Sequence, residues 1–213
     1  MKNSQVSPFS FPYASLANYS PRGSDEVSLK SRSVCFAIKN DTSDIISKAA
    51  QSLAGNKGVI IKDYFGENPI FIPTPRSSLL QTNALWPALR IIDEMLNAGI
   101  AGSKSLLLQR NVAVNKSSTS SPGTRPTVED HVNSISCSST SLLPNNFVLV
   151  DDVITKGATL FACAHILKSN FPRATIKTFA LIRTQGLVQN INKFVDPSIG
   201  DINYNGYSIT RKP

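Results

Sequence analysis

The sequence predicts an α/β domain, a central parallel sheet with helices on both faces. Three observations carry this. Short apolar runs of strand length alternate with helix-periodic stretches along most of the chain. The run FVLV at 147–150 is continuously apolar, as suits a central strand covered on both sides. Two acidic residues and a glycine-containing loop then lead into Leu160, Ala164, Leu167 and Phe171 at helical spacing, so a helix starts where the loop ends.

Residues 1–40 are rich in Ser, Pro and Asn, with aromatics at Phe9, Phe11, Tyr13 and Tyr19. This segment reads as an N-terminal extension partly ordered against the main domain, because a fully disordered arm is poorer in aromatics. The domain proper is expected over 41–213. Asp41, Thr42 and Ser43 form a cap signal, and Ile46, Ala49, Ala50 and Leu53 make one face of a helix stopped by Gly55. A strand over 69–72 ends in Pro73, Thr74, Pro75, Arg76 and Ser77. Leu85, Leu89, Ile92 and Leu96 stripe a second helix that ends at Gly99, with Pro87 in its first turn. A short apolar strand is expected over 105–109, and the serine-rich stretch 115–126 is a loop. Thr127 and Asp130 are placed as a capping-box variant opening a short helix through His131, Asn133 and Ile135. After the strand and helix around the acidic pair come a strand over 175–182 and a loosely patterned tail from Asn190. No internal repeat is visible.

Composition narrows the function classes. The chain has 213 residues and 41% hydrophobic content, enough for one real core. Cys35, Cys137 and Cys163 lie far apart, and His131 and His165 have no partner at ligand spacing, which argues against structural zinc. Sparse cysteine fits a reducing compartment, and neither a signal peptide nor a membrane span is read from the sequence. A soluble, cytoplasmic protein is expected. The net charge is +8, and the acidic pair Asp151 and Asp152 sits between two stretches, 95–128 and 153–195, that carry basic residues and no acidic ones. Such a field attracts a polyanion. Nucleic acid is one candidate, but no helix-turn-helix, finger or basic-aromatic stripe accompanies the charge.

The run FVLVDDVITKGAT, residues 147–159, carries the chemistry. Asp151 and Asp152 fall at the carboxyl end of a strand, the edge where open α/β sheets bind ligands. A helix start exposes unpartnered N–H groups and the positive end of the helix dipole, so it welcomes an anion. Gly157 allows close backbone approach, and the hydroxyls of Thr155 and Thr159 add donors. Two adjacent carboxylates suit a different part of the same ligand, namely vicinal hydroxyls or a divalent cation that it carries. A sugar phosphate meets both demands. The plainer alternative, that the pair ends a strand and caps a helix, is opposed by the strand–loop–helix context. There is no nucleotide P-loop and no dinucleotide glycine motif, and too little chain follows for a response-regulator receiver.

This segment resembles the signature by which type I phosphoribosyltransferases bind phosphoribosyl pyrophosphate (PRPP). The resemblance implies the type I phosphoribosyltransferase fold, a central parallel sheet flanked by helices with a small hood from the termini. It also implies that Asp151 and Asp152 hold the ribose hydroxyls and weakly, mainly through PRPP, a Mg2+ ion. Val153, Thr155, Lys156, Gly157, Ala158 and Thr159 would cradle the ribose phosphate. Lys156 departs from the commoner threonine or serine there.

The segment 73–77 looks like the pyrophosphate loop of ComF-like, competence-associated members, with Arg76 and Ser77 as phosphate contacts; the planar fork of Arg76 suits bidentate binding. A solvated arginine after a rigid turn is the alternative. The loop after Arg110 lies where the family has a mobile lid, which would bring Arg110, Lys116 and Arg125 to the pyrophosphate; a serine-rich linker is the alternative, above all for Lys116. Gln109, Arg110, Arg125 and Asn133 echo the ComF-like pattern, whereas the amino-terminal cysteine pairs of many relatives are absent. Asp151, Asp152, Arg76 and Arg125 are the expected catalytic set. His131 is a candidate base, with packing or surface as its alternative, and His165 is structural by default. The segment 194–197 lies where some relatives read the acceptor base.

The implied activity is Mg2+-dependent transfer of the phosphoribosyl group from PRPP to an unspecified nitrogen nucleophile, with release of pyrophosphate. A non-catalytic PRPP-binding regulator, or a competence- or DNA-associated accessory protein of the same fold, is the rival. A homodimer is a further expectation from the family.

Overall fold

A computed structural model describes residues 6–42, 44–115, 125–138, 145–185 and 188–212. The first described element is strand β1 (Phe9–Tyr19), followed by helices α1 (Glu26–Asn40), α2 (Ile45–Ala54) and α3 (Val59–Phe65). Strand β2 (Ile70–Pro73), helix α4 (Pro87–Asn97), strands β3 (Ser103–Lys104) and β4 (Leu108–Arg110), helix α5 (Val128–Ser134) and strand β5 (Ile135–Cys137) follow. Strand β6 (Asn146–Ile154), helix α6 (Ala158–Asn170) and strands β7 (Thr175–Thr184), β8 (Val195–Tyr204) and β9 (Ile209–Lys212) complete it.

The architecture is α/β, a seven-stranded sheet in the order β3-β2-β6-β7-β1-β8-β9 with helices on both faces. The five strands from β3 to β1 are mutually parallel, as expected, whereas β8 and β9 add to the sheet antiparallel. Side chains of β6 alternate as a pleated strand requires. Phe147 and Leu149 enter one core with Phe161 and Leu167 of α6; Val148 and Val150 enter the other with Ile91 and Ile92 of α4 and Leu53 of α2. Each such fully buried side chain contributes about 1.5–3 kcal/mol of transfer free energy.

Residues 9–19, expected in an extension, form β1 in the interior of the sheet, paired with β7 on one side and β8 on the other. Pro12 argues against an interior strand, but the ladder to β7 starts only at Tyr13. The tail from Asn190 contains β8 and β9; Pro197 and Gly200 interrupt the β8 pattern and its face is half exposed, which is why no strand is legible there.

Helix α4 has Pro87 in its first turn, where a missing N–H costs nothing. Its buried stripe is Ala88, Ile91, Ile92 and Met95, turned by a residue from the predicted one, and Leu85 is exposed. Of the expected strand over 105–109 only Leu108 and Gln109 are in a strand, β4, which pairs with β5 in a separate two-stranded sheet; β3 lies just before that range and extends the main sheet beside β2. Helix α5 carries the predicted capping box, with Thr127 and Asp130 bonded reciprocally. Among the described residues no helix is long and apolar enough to cross a membrane.

Candidate functional site

The chain runs from β2 outward to β3 and from β6 in the other direction to β7, so strand order reverses between β2 and β6. In a parallel α/β sheet the crevice outside the carboxyl ends of such a pair is the place for a ligand. Asp151 and Asp152 stand there on β6, and Thr74 follows β2 beside them. Thr74 donates from Oγ1 to Asp151 Oδ1 at 2.9 Å, and its own N–H donates to the Val150 carbonyl at 2.9 Å, which ties the two strand ends together. The Asp152 amide also donates to Asp151 Oδ1, at 2.9 Å, and the Val153 amide donates to Asp152 Oδ1 at 2.8 Å.

The two carboxylates have different surroundings. Burial, then the neighbouring charge of Asp152, pushes the Asp151 carboxyl up from the usual carboxylate range; Thr74, the Asp152 amide and Lys39 only partly offset this. Asp152 is paired with Lys39 of α1, Nζ to Oδ2 at 2.8 Å. Burial alone would lower the Lys39 pKa, but Asp152 outweighs it and the ammonium is held above its ordinary value. Lys39 lies in the segment expected to be an extension. No periodicity or motif in the sequence points to it, because the contact spans 113 residues.

Strand β6 extends beyond the acidic pair to Ile154, and α6 begins at Ala158, so the loop is only 155–157 and Ala158 and Thr159 already belong to the first helical turn. Gly157 is the N-cap at φ 94°, a left-handed conformation that glycine tolerates. A Cβ there would lie 2.9 Å from Ile202 Cγ2 of β8, so the loop is seated on β8 as well. The glycine N-cap has no side chain to cap α6, and no acidic residue stands in the first turn, so the leading N–H groups have no side-chain partner among the described residues and suit an anion. Arg211 of β9 fastens the loop from outside. Its Nε donates to the Thr155 carbonyl at 2.9 Å, its Nη1 donates to the Tyr13 hydroxyl at 2.5 Å, and its Nη2 donates to the Thr184 carbonyl. Thr155 and Lys156 are exposed, and Val153 is half-buried against the α1–α4 core.

The expected cations are placed unequally. Arg76 is half-buried in the turn after β2, and among the described residues its guanidinium makes no hydrogen bond or ion pair. Ser77 accepts from the Val114 amide through its carbonyl at 2.9 Å. Arg125 is exposed, and Lys116 lies outside the described residues. Arg110 differs from expectation: it is 4% exposed, and its guanidinium is turned inward. Nε donates to the Arg76 carbonyl at 2.7 Å, Nη1 to Ser134 Oγ at 2.5 Å and Nη2 to His131 Nδ1 at 3.3 Å. It holds the Arg76 turn from beneath. His131, 2% exposed, has no approach for a substrate; burial, then the Arg110 charge, pushes its imidazole down to about 4, with Asp130 opposing. Its Nε2 lies 3.3 Å from Thr159 Oγ1.

Asp196, in the segment expected to read a base, is the partner of Arg183: Nη2 donates to Oδ2 at 2.7 Å and Nη1 to the Asp196 carbonyl at 2.5 Å. Asn18 Nδ2 donates to the same carboxylate at 3.1 Å. Cavities of about 190 Å3, beside Phe9 and His165, and about 410 Å3, beside Val114 and Asp130, include neither Asp151 nor Asp152. Asp151 and Asp152 themselves are half-buried.

No group of three or more His, Cys, Asp or Glu able to hold a metal occurs among the described residues. A protein-built metal cage is absent from them, but the donor set fits a hard cation held jointly with a ligand: one carboxylate is under-compensated, and Mg2+ binds by one or two carboxylates plus phosphate oxygens.

No protein-family model matches the chain, and no curated protein matches it significantly. Solved structures similar in chain trace include a hypoxanthine phosphoribosyltransferase from Staphylococcus aureus, 12% identical, covering 69% of this chain and 70% of that one at a TM-score of 0.41. A hypoxanthine-guanine phosphoribosyltransferase from Bacillus anthracis is 14% identical over 70% of this chain and 75% of that one, at 0.39. The hypoxanthine phosphoribosyltransferase of Trypanosoma cruzi is 13% identical over 68% and 69%, at 0.36.

Proposed function

We propose that the chain is a phosphoribosyltransferase that binds PRPP with Mg2+ at the β2/β6 crevice. It transfers the phosphoribosyl group to a nitrogen nucleophile and releases pyrophosphate. The observation that carries this reading is the juxtaposition of two carboxylates at a strand-order reversal with an uncapped, glycine-led helix start. Carboxylates there receive hydrogen bonds from ribose hydroxyls, while the first turn of α6 and the loop 155–157 receive the sugar phosphate.

Sugar transfer of this kind develops positive charge on the ribose and negative charge on the leaving pyrophosphate. Asp151 and Asp152 lie on the sugar side of the proposed pose and act by position and field. The Arg76 guanidinium, with no partner among the described residues, is available to the leaving group, and Arg110 supports the turn that presents it. Bound Mg2+ would neutralise pyrophosphate oxygens, with Asp151 and Asp152 as its protein-side acceptors. Lys39 shields Asp152 from its neighbour in the absence of ligand, and ribose hydroxyls would share that carboxylate with it.

The inward turn of Arg110 favours one rival, a PRPP-binding regulator without transfer activity, because it removes one of the expected pyrophosphate cations. Calorimetry with PRPP and Mg2+, followed by a pyrophosphate-release assay with nucleobases and ammonia as acceptors, tests both. Binding with release supports the enzyme; binding without release under every acceptor supports the regulator; no binding of PRPP refutes the site. Steep salt-dependent binding to DNA or RNA instead would support a nucleic-acid role.

A further inference from the structure

We infer that His131 is a positioning residue for the phosphate loop: its buried imidazole acts as a one-way hydrogen-bond relay that commits the Thr159 hydroxyl proton to the bound phosphoryl group. This rests on the proposed binding of a sugar phosphate at the start of α6.

Arg110 has only donors, so the contact of its Nη2 with His131 Nδ1 at 3.3 Å makes Nδ1 an acceptor. A neutral imidazole with a bare Nδ1 carries its proton on Nε2. Nε2 therefore donates to Thr159 Oγ1, 3.3 Å away. With that lone pair of the hydroxyl occupied, the Thr159 proton points elsewhere, and the open N–H groups of the α6 first turn mark where an anion lies. The relay also has a fixed origin. Arg110 is anchored by the Arg76 carbonyl and by Ser134, whose hydroxyl in turn donates to the Asp130 carbonyl at 2.6 Å. An unbroken chain of bonds thus runs from the turn after β2, through α5, to the first turn of α6. The protonation state suits this: the imidazole, displaced down to about 4 chiefly by burial, stays neutral at working pH. A protonated ring would set a second N–H against the Arg110 guanidinium.

Two measurements test the relay. Nitrogen chemical shifts of the imidazoles in the full-length protein report the tautomer directly; with only His131 and His165 in the chain, one substitution assigns them. The expected result is a bare Nδ1 and a protonated Nε2 on His131, and the opposite tautomer overturns the proposal without touching the reading of the site. Titration calorimetry then follows ribose 5-phosphate and pyrophosphate binding to wild type, Thr159→Ser, Thr159→Val, His131→Gln, His131→Phe and the His131→Phe, Thr159→Val double variant.

Thr159→Val and His131→Phe should each weaken ribose 5-phosphate binding by about tenfold, as for one hydrogen bond to a charged group. The double variant should lose no more than Thr159→Val, Thr159→Ser should stay near wild type, and His131→Gln, which keeps an acceptor and a donor on one planar group, should recover part of the loss. Pyrophosphate binding should hold within about twofold in all of them, since it does not use Thr159 and since Arg110 keeps its bonds to the Arg76 carbonyl and Ser134 when His131 is replaced. Multiplying losses in the double variant, or equal losses for both ligands, would mean a merely structural histidine and would overturn the relay. Wild-type protein that binds neither ligand overturns the relay and the site together.

Discussion

Replacing Asp151 by asparagine separates the stability of the free protein from its capacity to bind a sugar. The hydrogen bonds that reach this side chain among the described residues, from Thr74 Oγ1 and from the Asp152 amide, land on Oδ1. An amide with its oxygen in that place accepts both, so the substitution deletes a charge and no bond. The carboxyl is raised by burial and by Asp152, so the folded state holds its proton more tightly than the unfolded chain, whose value is about 3.9. Stability therefore falls as pH rises from that value through the raised folded one, and above it the whole penalty is present. Asparagine carries none of it. Asp151→Asn should be more stable than wild type at pH 7.5 by about 1–2 kcal/mol, about 2–4 °C in Tm per kcal/mol for a chain of this size. The advantage should shrink at pH 4.5, where the wild-type carboxyl is protonated. Affinity for PRPP should fall by about a hundredfold or more, the worth of two charge-assisted hydrogen bonds at about 1.5–3 kcal/mol each. Thermal melts at the two pH values and titration calorimetry measure both effects. A variant less stable than wild type at pH 7.5, or one that keeps wild-type affinity, refutes the reasoning.

Gly157→Ala should destabilise by about 2–4 kcal/mol, combining a left-handed φ with a Cβ 2.9 Å from Ile202 Cγ2, and in an Ile202→Ala background, which removes the crowding atoms, its cost in a urea titration should fall to the backbone part. Arg183→Met should cost about 2–4 kcal/mol by leaving the Asp196 carboxylate and the buried Ser15 hydroxyl without their cationic donor; the low end reflects the partial exposure of Asp196, and chemical denaturation reads it. Arg211→Ala frees the Thr155 carbonyl, so ribose 5-phosphate binding should weaken by about fivefold while pyrophosphate binding is kept; equal loss of both would deny a loop-specific role. Lys39→Met should lower stability at pH 7.5 by about 0.5–1 kcal/mol, a modest figure because the lysine is 40% exposed, and should raise the Asp151 carboxyl further, visible as an upward shift in its titration by carbonyl NMR.

Local information was enough for the acidic pair, the glycine loop and the helix behind them, because a buried parallel strand, a strand end and a helix start each impose residue types on their own few positions. The α5 capping box and Pro87 in the first turn of α4 were legible for the same reason. Tertiary structure alone decided the rest. The strand-order reversal between β2 and β6, which brings Thr74 to Asp151, depends on which strands pair and leaves no trace in periodicity. Lys39, Arg211 and β1 join the site or the sheet across 56 to 198 residues of chain. Arg110 shows the limit most plainly: an arginine in sequence is a cation available to any anion, and only packing turned it inward onto Arg76, Ser134 and His131.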